Sequence, residues 1–278
     1  MTDPLVYLAD VKNIAKQAGQ AILDIYHAGD FAVFEKSDDS PVTTADFAAN
    51  EVLMKALAKL TPNIPILSEE ACDVSFRERR KWQQYWLLDP MDGTQEFVSR
   101  SGDFAVNVAL IIAGVPSLGV VYWPTQDTWY YAVKDQGAFK QVGDKITRIY
   151  ANQVNLTKPF RMAVSRVQDH AKVAQYIKGQ HSYKTIALGS CSLKSCLIAE
   201  GGADCYLRLG PTGEWDTGAC HCILREAGGD IIDSEFAELS YNQRETLSNP
   251  DFFVLGDPSV NWQSVIIPHK TERMLDDE

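Results

Sequence analysis

Apolar residues recur at helical spacing over the first thirty positions, with Val11, Ala15, Ala18, Ile22 and Ile25 following one another at intervals of four and three. One buried stripe on an amphipathic helix is the expectation. Thr2 or Asp3 can cap it, and Pro4 suits the first helical position because it has no N–H to leave unpaired. Lys36 to Thr44 is polar and proline-punctuated, which predicts a loop, after which Asp46 opens a second helix bearing Leu53, Leu57 and Leu60 on one face. Pro62 and Pro65 end it. Ile66-Leu67 then leads as a short strand into Ser68-Glu69-Glu70, and Trp86-Leu87-Leu88 reads as a buried strand closed by a turn at Pro90 and Gly93. From Phe104 to Val133, β-branched runs broken at Gly114-Val115-Pro116 and Pro124-Thr125-Gln126-Asp127 predict an antiparallel meander.

The pattern alternates in the second half. Met162 to Ser165 reads as strand, Ala171 to Lys178 as helix, Thr185 to Leu188 as strand, Ser192 to Glu200 as helix, Ala203 to Leu209 as strand and Asp216 to Ala227 as helix. That rhythm predicts an α/β chain. With no internal repeat, the expectation is a single domain over 1–278, with a seam near Asn152 to Lys158 dividing lobes 1–155 and 156–270. The acidic tail from Thr271 is expected to fray.

Composition narrows the class. The chain has 278 residues, 45% hydrophobic and 23% charged, enough to bury a full core. A formal charge of −11 argues against a nucleic-acid binder and against adsorption to anionic lipid. There is no secretory signal and no apolar run that would span a bilayer, so a cytoplasmic protein is expected, with peripheral attachment to the inner membrane's cytoplasmic face left open. Six cysteines lack paired C-x-x-C spacing and read as reduced thiols. Cys220-His221-Cys222 invites zinc, but neighbouring helical positions diverge by about 100° and a second ligand pair is missing.

Candidate chemistry centres on Asp89-Pro90-Met91-Asp92-Gly93-Thr94, which closes the buried strand. A strand-end turn sets acidic groups at the mouth of a cleft, where α/β proteins bind ligands. Asp89, Asp92 and the Met91 carbonyl offer the oxygen donors that a hard cation such as Mg²⁺ prefers, and Glu69, ending another strand, can complete the shell. An isolated D-x-x-D is more often a solvated turn. Asp216, in Trp215-Asp216-Thr217-Gly218-Ala219, stands where a helix starts and by itself reads as an N-cap, with small residues behind it for close packing.

Taken in order, Ser68-Glu69-Glu70, Asp-Pro-Met-Asp-Gly-Thr and Trp-Asp-Thr-Gly-Ala resemble the three signatures of the inositol monophosphatase superfamily of Mg²⁺-dependent, lithium-sensitive phosphatases, over nearly the whole chain. Asp39-Ser40-Pro41-Val42-Thr43, Tyr85-Trp86-Leu87, Gly210-Pro211-Thr212 and Gly189-Ser190-Cys191-Ser192-Leu193-Lys194 are most similar to its bacterial 3′(2′),5′-bisphosphate nucleotidases of the CysQ type. The resemblance implies a layered α-β-α-β-α sandwich of the sugar-phosphatase type. It implies two Mg²⁺ ions and often a third, with Glu69, Asp89 and the Met91 carbonyl on the first and Asp89, Asp92 and Asp216 on the second. It further implies that Asp46 and Thr94 activate water beside Glu69, and that Gly93 and Thr94 amides cradle the phosphate. Glu69, Met91, Asp92 and Asp216 would then meet substrate as well, while Ser190, Lys194, Arg208 and Lys36 would hold it on the side of the phosphate that is not cleaved.

The activity so implied is hydrolysis of adenosine 3′,5′-bisphosphate to AMP and inorganic phosphate in sulfate assimilation, with 3′-phosphoadenosine 5′-phosphosulfate as a second candidate substrate. The partner would be a small bisphosphate nucleotide rather than nucleic acid, and the protein a monomer or homodimer. Inositol phosphatases carry an acid seven positions before the Trp-Asp aspartate; Leu209 stands there and favours a nucleotide. After Ser165-Arg166 the nucleotidases usually show Ser-His, whereas Val167-Gln168 follow here. An inositol or sugar phosphatase, and a silent sensor of the bisphosphate nucleotide, are the alternatives.

Overall fold

The computed structural model describes residues 3–35, 41–166 and 170–268. Lys36, Gln168 and the acidic tail lie outside the described residues. Asp3 caps a 3₁₀ turn at Pro4–Tyr7 rather than the long helix itself, its carboxylate accepting from the Leu5 N–H at 2.9 Å. The helix follows as α1 (Leu8–Ala28), burying Val11, Ala15, Ala18 and Ile22, with Ile25 at the margin. A small hairpin, β1 (Val33–Glu35) with β2 (Pro41–Thr43), precedes α2 (Thr44–Leu60), so the polar stretch ends as strand.

Strands β3 (Ile66–Ser68), β4 (Gln84–Asp92), β5 (Ala105–Ile112), β6 (Val115–Trp123), β7 (Thr128–Val133), β8 (Gly137–Val142) and β9 (Lys145–Ile149) form one seven-stranded sheet in chain order. Short helices α3 (Phe76–Arg79) and α4 (Thr94–Val98) flank β4. Only β3 and β4 run parallel, and every other neighbouring pair in the sheet is antiparallel. The meander is longer than its pattern predicts, because β9 is largely exposed, β8 is half-buried or exposed beyond its first two residues, and both lack the apolar run of the inner strands.

The second sheet has the order β11-β10-β12-β14-β13, built from β10 (Phe160–Val164), β11 (Tyr183–Ala187), β12 (Cys205–Arg208), β13 (Asp230–Asp233) and β14 (Phe252–Leu255). Helices α5 (His170–Ala174), α6 (Cys191–Ala199) and α7 (Glu214–Glu226) complete the α/β half.

Three apolar layers hold these elements together. Alternate β4 and β5 residues, Trp86 and Leu88 with Val106, Val108 and Leu110, meet α1 and α2 on one face. Tyr85, Leu87, Ala109 and Ile111 point the other way and pack with Ala219, Cys220, Ile223 and Leu224 of α7, Leu193 and Ile198 of α6, and Tyr206 and Val254 of the second sheet. That sheet's far face, through Met162, Leu207 and Phe253, is covered by Val173, Trp262 and Val265. The result is the α-β-α-β-α sandwich. Strands buried on both faces read as continuous apolar runs, which is why Trp86-Leu87-Leu88 shows no alternation.

Candidate active site

Period-two geometry directs the first carboxylate. Tyr85, Leu87 and Asp89 share one face of β4, so the Asp89 side chain enters the layer that holds α6 and α7. The strand does not turn after Leu88 as its proline and glycine predict. It runs on to Asp92, with a register shift between Asp89↔Asn107 and Asp92↔Ala105, and this irregularity brings both carboxylates to one side. Gly93 then adopts φ +103°, and a Cβ there would stand 2.9 Å from the Asp103 carbonyl, so only glycine allows β4 to pass directly into α4.

Asp216 also departs from its expected place. Gly213, not Asp216, is the N-cap of α7, and Asp216 is the third helical residue, its Oδ2 accepting from the Gly213 N–H at 2.7 Å. Asp46 holds the same position in α2, accepting from the Thr43 N–H at 2.7 Å and the Thr43 hydroxyl at 2.8 Å. Its second oxygen takes the Thr94 hydroxyl at 3.0 Å, linking α2 to α4. Both aspartates thus cap their own helix while keeping an oxygen for other partners.

Donor oxygens of Asp89, Asp92 and Asp216 all lie within 4.8 Å of one another, and Asp89 and Asp92 are buried. Burial, then the charges of Glu69, Asp92 and Asp216, holds the Asp89 carboxyl far above its ordinary range. Burial and the charges of Asp92 and Glu69 push Asp216 up to about 8, with the Arg208 guanidinium offsetting part of the effect. Three carboxylates this close, two of them buried and the third half-buried, are costly unless a cation joins them. Asn107, opposite Asp89 across the β4–β5 ladder, is buried with both amide atoms lacking a partner among the described residues. An oxygen-only donor set beside an orphaned amide fits a hard metal ion and its hydration shell. The cluster is able to bind such an ion.

A cleft of about 540 Å³ opens over this cluster. Glu69, Met91, Gly93, Thr94, Ser190, Lys194 and Arg208 line it together with the three aspartates, and Asp46 stands behind Thr94. Trp215 forms part of one wall. Burial raises the Asp46 carboxyl to about 6, against the lowering effect of its Thr43 and Thr94 bonds.

Lys194 is 2% exposed, with its ammonium donating to the carbonyls of Leu188, at 3.3 Å, and Ser190. Burial lowers its pKa. Arg208 donates to the Pro211 carbonyl at 2.7 Å. Leu209 packs toward the far apolar layer beside Phe253. The Cys220-His221-Cys222 side chains diverge: Cys220 lies 3.5 Å from the Asp216 carbonyl, Cys222 3.8 Å from that of Ala132, and His221 pairs with Tyr241 and Asp230 at 2.8 and 2.7 Å. All six cysteines are free thiols.

Two groups escaped the sequence reading. Asp103 accepts from Arg166 at 2.7 Å and from the Gly189 N–H at 2.9 Å, tying the segment just before β5 to the loop before α6. Ser192 donates to Asp92 from both its N–H and its hydroxyl. Its only signal in the sequence was its place between Ser190 and Lys194. Among the described residues, no helix is long and apolar enough to cross a membrane.

Comparison with known proteins places this geometry. Residues 5–261 match the model of the inositol monophosphatase family. The chain is 43% identical over 258 residues to the 3′(2′),5′-bisphosphate nucleotidase CysQ of Haemophilus influenzae, covering 93% of this chain and 96% of the relative. It is 41% identical over 248 residues to that of Escherichia coli K12, covering 89% and 98%. The crystal structure of CysQ from Bacteroides thetaiotaomicron, a bacterial member of the inositol monophosphatase family, superposes with a TM-score of 0.75 at 37% identity, over 87% of this chain and 94% of that one.

Proposed function

Because the chain belongs to the inositol monophosphatase family, we propose that it is a Mg²⁺-dependent 3′(2′),5′-bisphosphate nucleotidase of the CysQ type, hydrolysing adenosine 3′,5′-bisphosphate to AMP and inorganic phosphate. Clearing this product of sulfate assimilation is its cellular role, and 3′-phosphoadenosine 5′-phosphosulfate is its second substrate. The carrying observation is the triad Asp89, Asp92 and Asp216, its first two members buried, facing a cleft that Lys194 and Arg208 also line.

Glu69, Asp89 and the Met91 carbonyl would hold one Mg²⁺, and Asp89, Asp92 and Asp216 would hold a second. Bound there, Mg²⁺ neutralises the phosphoryl oxygens and acidifies water at neutral pH. Thr94 donates its hydroxyl hydrogen bond to Asp46, which leaves its oxygen as an acceptor that orients the attacking water. Asp46, raised to about 6, is poised to take the proton through Thr94. Gly93 and Thr94 amides cradle the departing phosphate.

In the same cleft, two of Lys194's three N–H donors already meet carbonyls, which leaves one for the phosphate that stays on the ribose. Arg208 adds a second fixed charge, and Ser190 lines the same cleft. An apolar Leu209 turned into the core gives inositol hydroxyls no acidic partner, which supports a nucleotide.

The test is phosphate release, with and without Mg²⁺, from adenosine 3′,5′-bisphosphate beside inositol 1-phosphate, fructose 1,6-bisphosphate and AMP. Mg²⁺-dependent preference for the first is expected. Preference for another ester would overturn the pocket reading, and inactivity on all four would favour a sensor.

A further inference from the structure

Asp92 is gripped from a distant part of the chain. Its Oδ2 accepts from the Ser192 N–H at 2.7 Å and from the Ser190 and Ser192 hydroxyls at 2.5 Å each, while Oδ1 accepts from the Cys191 N–H at 3.1 Å. A carboxylate oxygen has about two lone-pair positions, so Oδ2 is filled and Oδ1 alone keeps capacity. These donors form the first turn of α6 and its cap. The arrangement is held at a cost: Ser190 sits at φ 57°, ψ 143°, a conformation disfavoured for a residue with a side chain. Ser192 is fully buried, and Asp92 and Ser190 are its hydroxyl's neighbours.

We propose that Ser192 is a positioning residue for the metal-binding carboxylate, fixing Asp92 so that Oδ1 is the oxygen left to meet a cation. The proposal rests on the reading that the aspartate triad holds Mg²⁺. Asp92 comes from the seven-stranded sheet and Ser192 from the helix layer between the sheets, so metal affinity depends on how the two are held together. Outer partners of metal ligands typically contribute about 10–100-fold in metal affinity, and Ser192 supplies two of Asp92's four hydrogen bonds.

The experiment titrates the full chain with Mg²⁺ alone, without substrate, by calorimetry and by the rise in melting temperature. Ser192→Ala is expected to weaken Mg²⁺ binding about tenfold. A purely structural hydroxyl would lower the Mg²⁺-free melting temperature and leave the Mg²⁺ midpoint in place; a midpoint moved less than about threefold therefore overturns the proposal. Should Ser192→Ala not fold, Ser192→Cys, close in shape with a weak donor, is read by the same criterion. Asp89→Asn separates the two levels of argument. If it binds Mg²⁺ like the parent chain, the cation lies elsewhere and the metal reading falls together with this one; if it loses Mg²⁺ while Ser192→Ala does not, only the positioning role falls.

Discussion

Asp89 and Lys194 carry opposite obligations, and their variants should fail differently. Asp89→Asn removes a charge from a crowded buried cluster while keeping the side chain's shape, so the fold should survive and turnover should drop by about 10²–10³ or more. Near-normal phosphate release from that variant would sink the bridging role. Lys194→Ala deletes a charged donor lining the cleft, where one such hydrogen bond contributes about 1.5–3 kcal/mol. The expected loss in kcat/KM is therefore about 10- to 150-fold on adenosine 3′,5′-bisphosphate, with a much smaller loss on a simple monophosphate. Equal losses on both would show that Lys194 does not read the second phosphate. Most of these residues were legible because short motifs hold them together. The grip of Ser192 on Asp92 was not, since a contact between residues a hundred positions apart leaves no local trace.

Helix α7 decides whether the cluster forms at all, because it delivers Asp216 to the two aspartates of β4. It can approach the sheet only where side chains are missing. A Cβ on Gly119 of β6 would lie 2.2 Å from the Ala219 carbonyl, and one on Gly218 would meet Leu87 at 2.8 Å. Gly119→Ala should therefore lift the helix, cost about 1–3 kcal/mol in urea denaturation and weaken Mg²⁺ binding through a residue that touches neither ion nor substrate. Unchanged stability and Mg²⁺ affinity would refute this account of α7. The small residues behind Asp216 announced that packing in the sequence, and α1 and α2 were legible because one face of each is solvated. The start of α7 was misplaced by two residues because an aspartate at the third helical position can reach back and mimic a cap. Strands β8 and β9 went unread because their half-buried and exposed positions lack the continuous buried run that marks β7.

Stability of the entire molecule should report the cluster's charge. In the folded chain Asp216 is raised to about 8 from an ordinary value of 3.8, and Asp89 is raised as well. The folded state then binds more protons than the unfolded state between these limits, so the slope of stability with pH is negative there. Metal-free protein in EDTA should lose stability as pH rises from about 4 through about 8, and Mg²⁺ should recover most of it at the alkaline end. Denaturation curves at several pH values, with and without Mg²⁺, check the sign; stability that rises through this window in EDTA would contradict it.

The seating of α7 on the first sheet also sets a timetable. Ile149 completes that sheet, yet the helix that covers its inner face begins only at Glu214. Roughly 65 further residues must leave the ribosome first, which at about 5–20 residues per second is about 3–13 s of synthesis. During that interval Leu87, Ala109 and Ile111 lack the cover of α7, and Asp89 and Asp92 lack the carboxylate of Asp216. The nascent chain thus carries uncovered apolar sheet surface before its carboxylate cluster can be completed, and the catalytic centre is among the last things its translation makes.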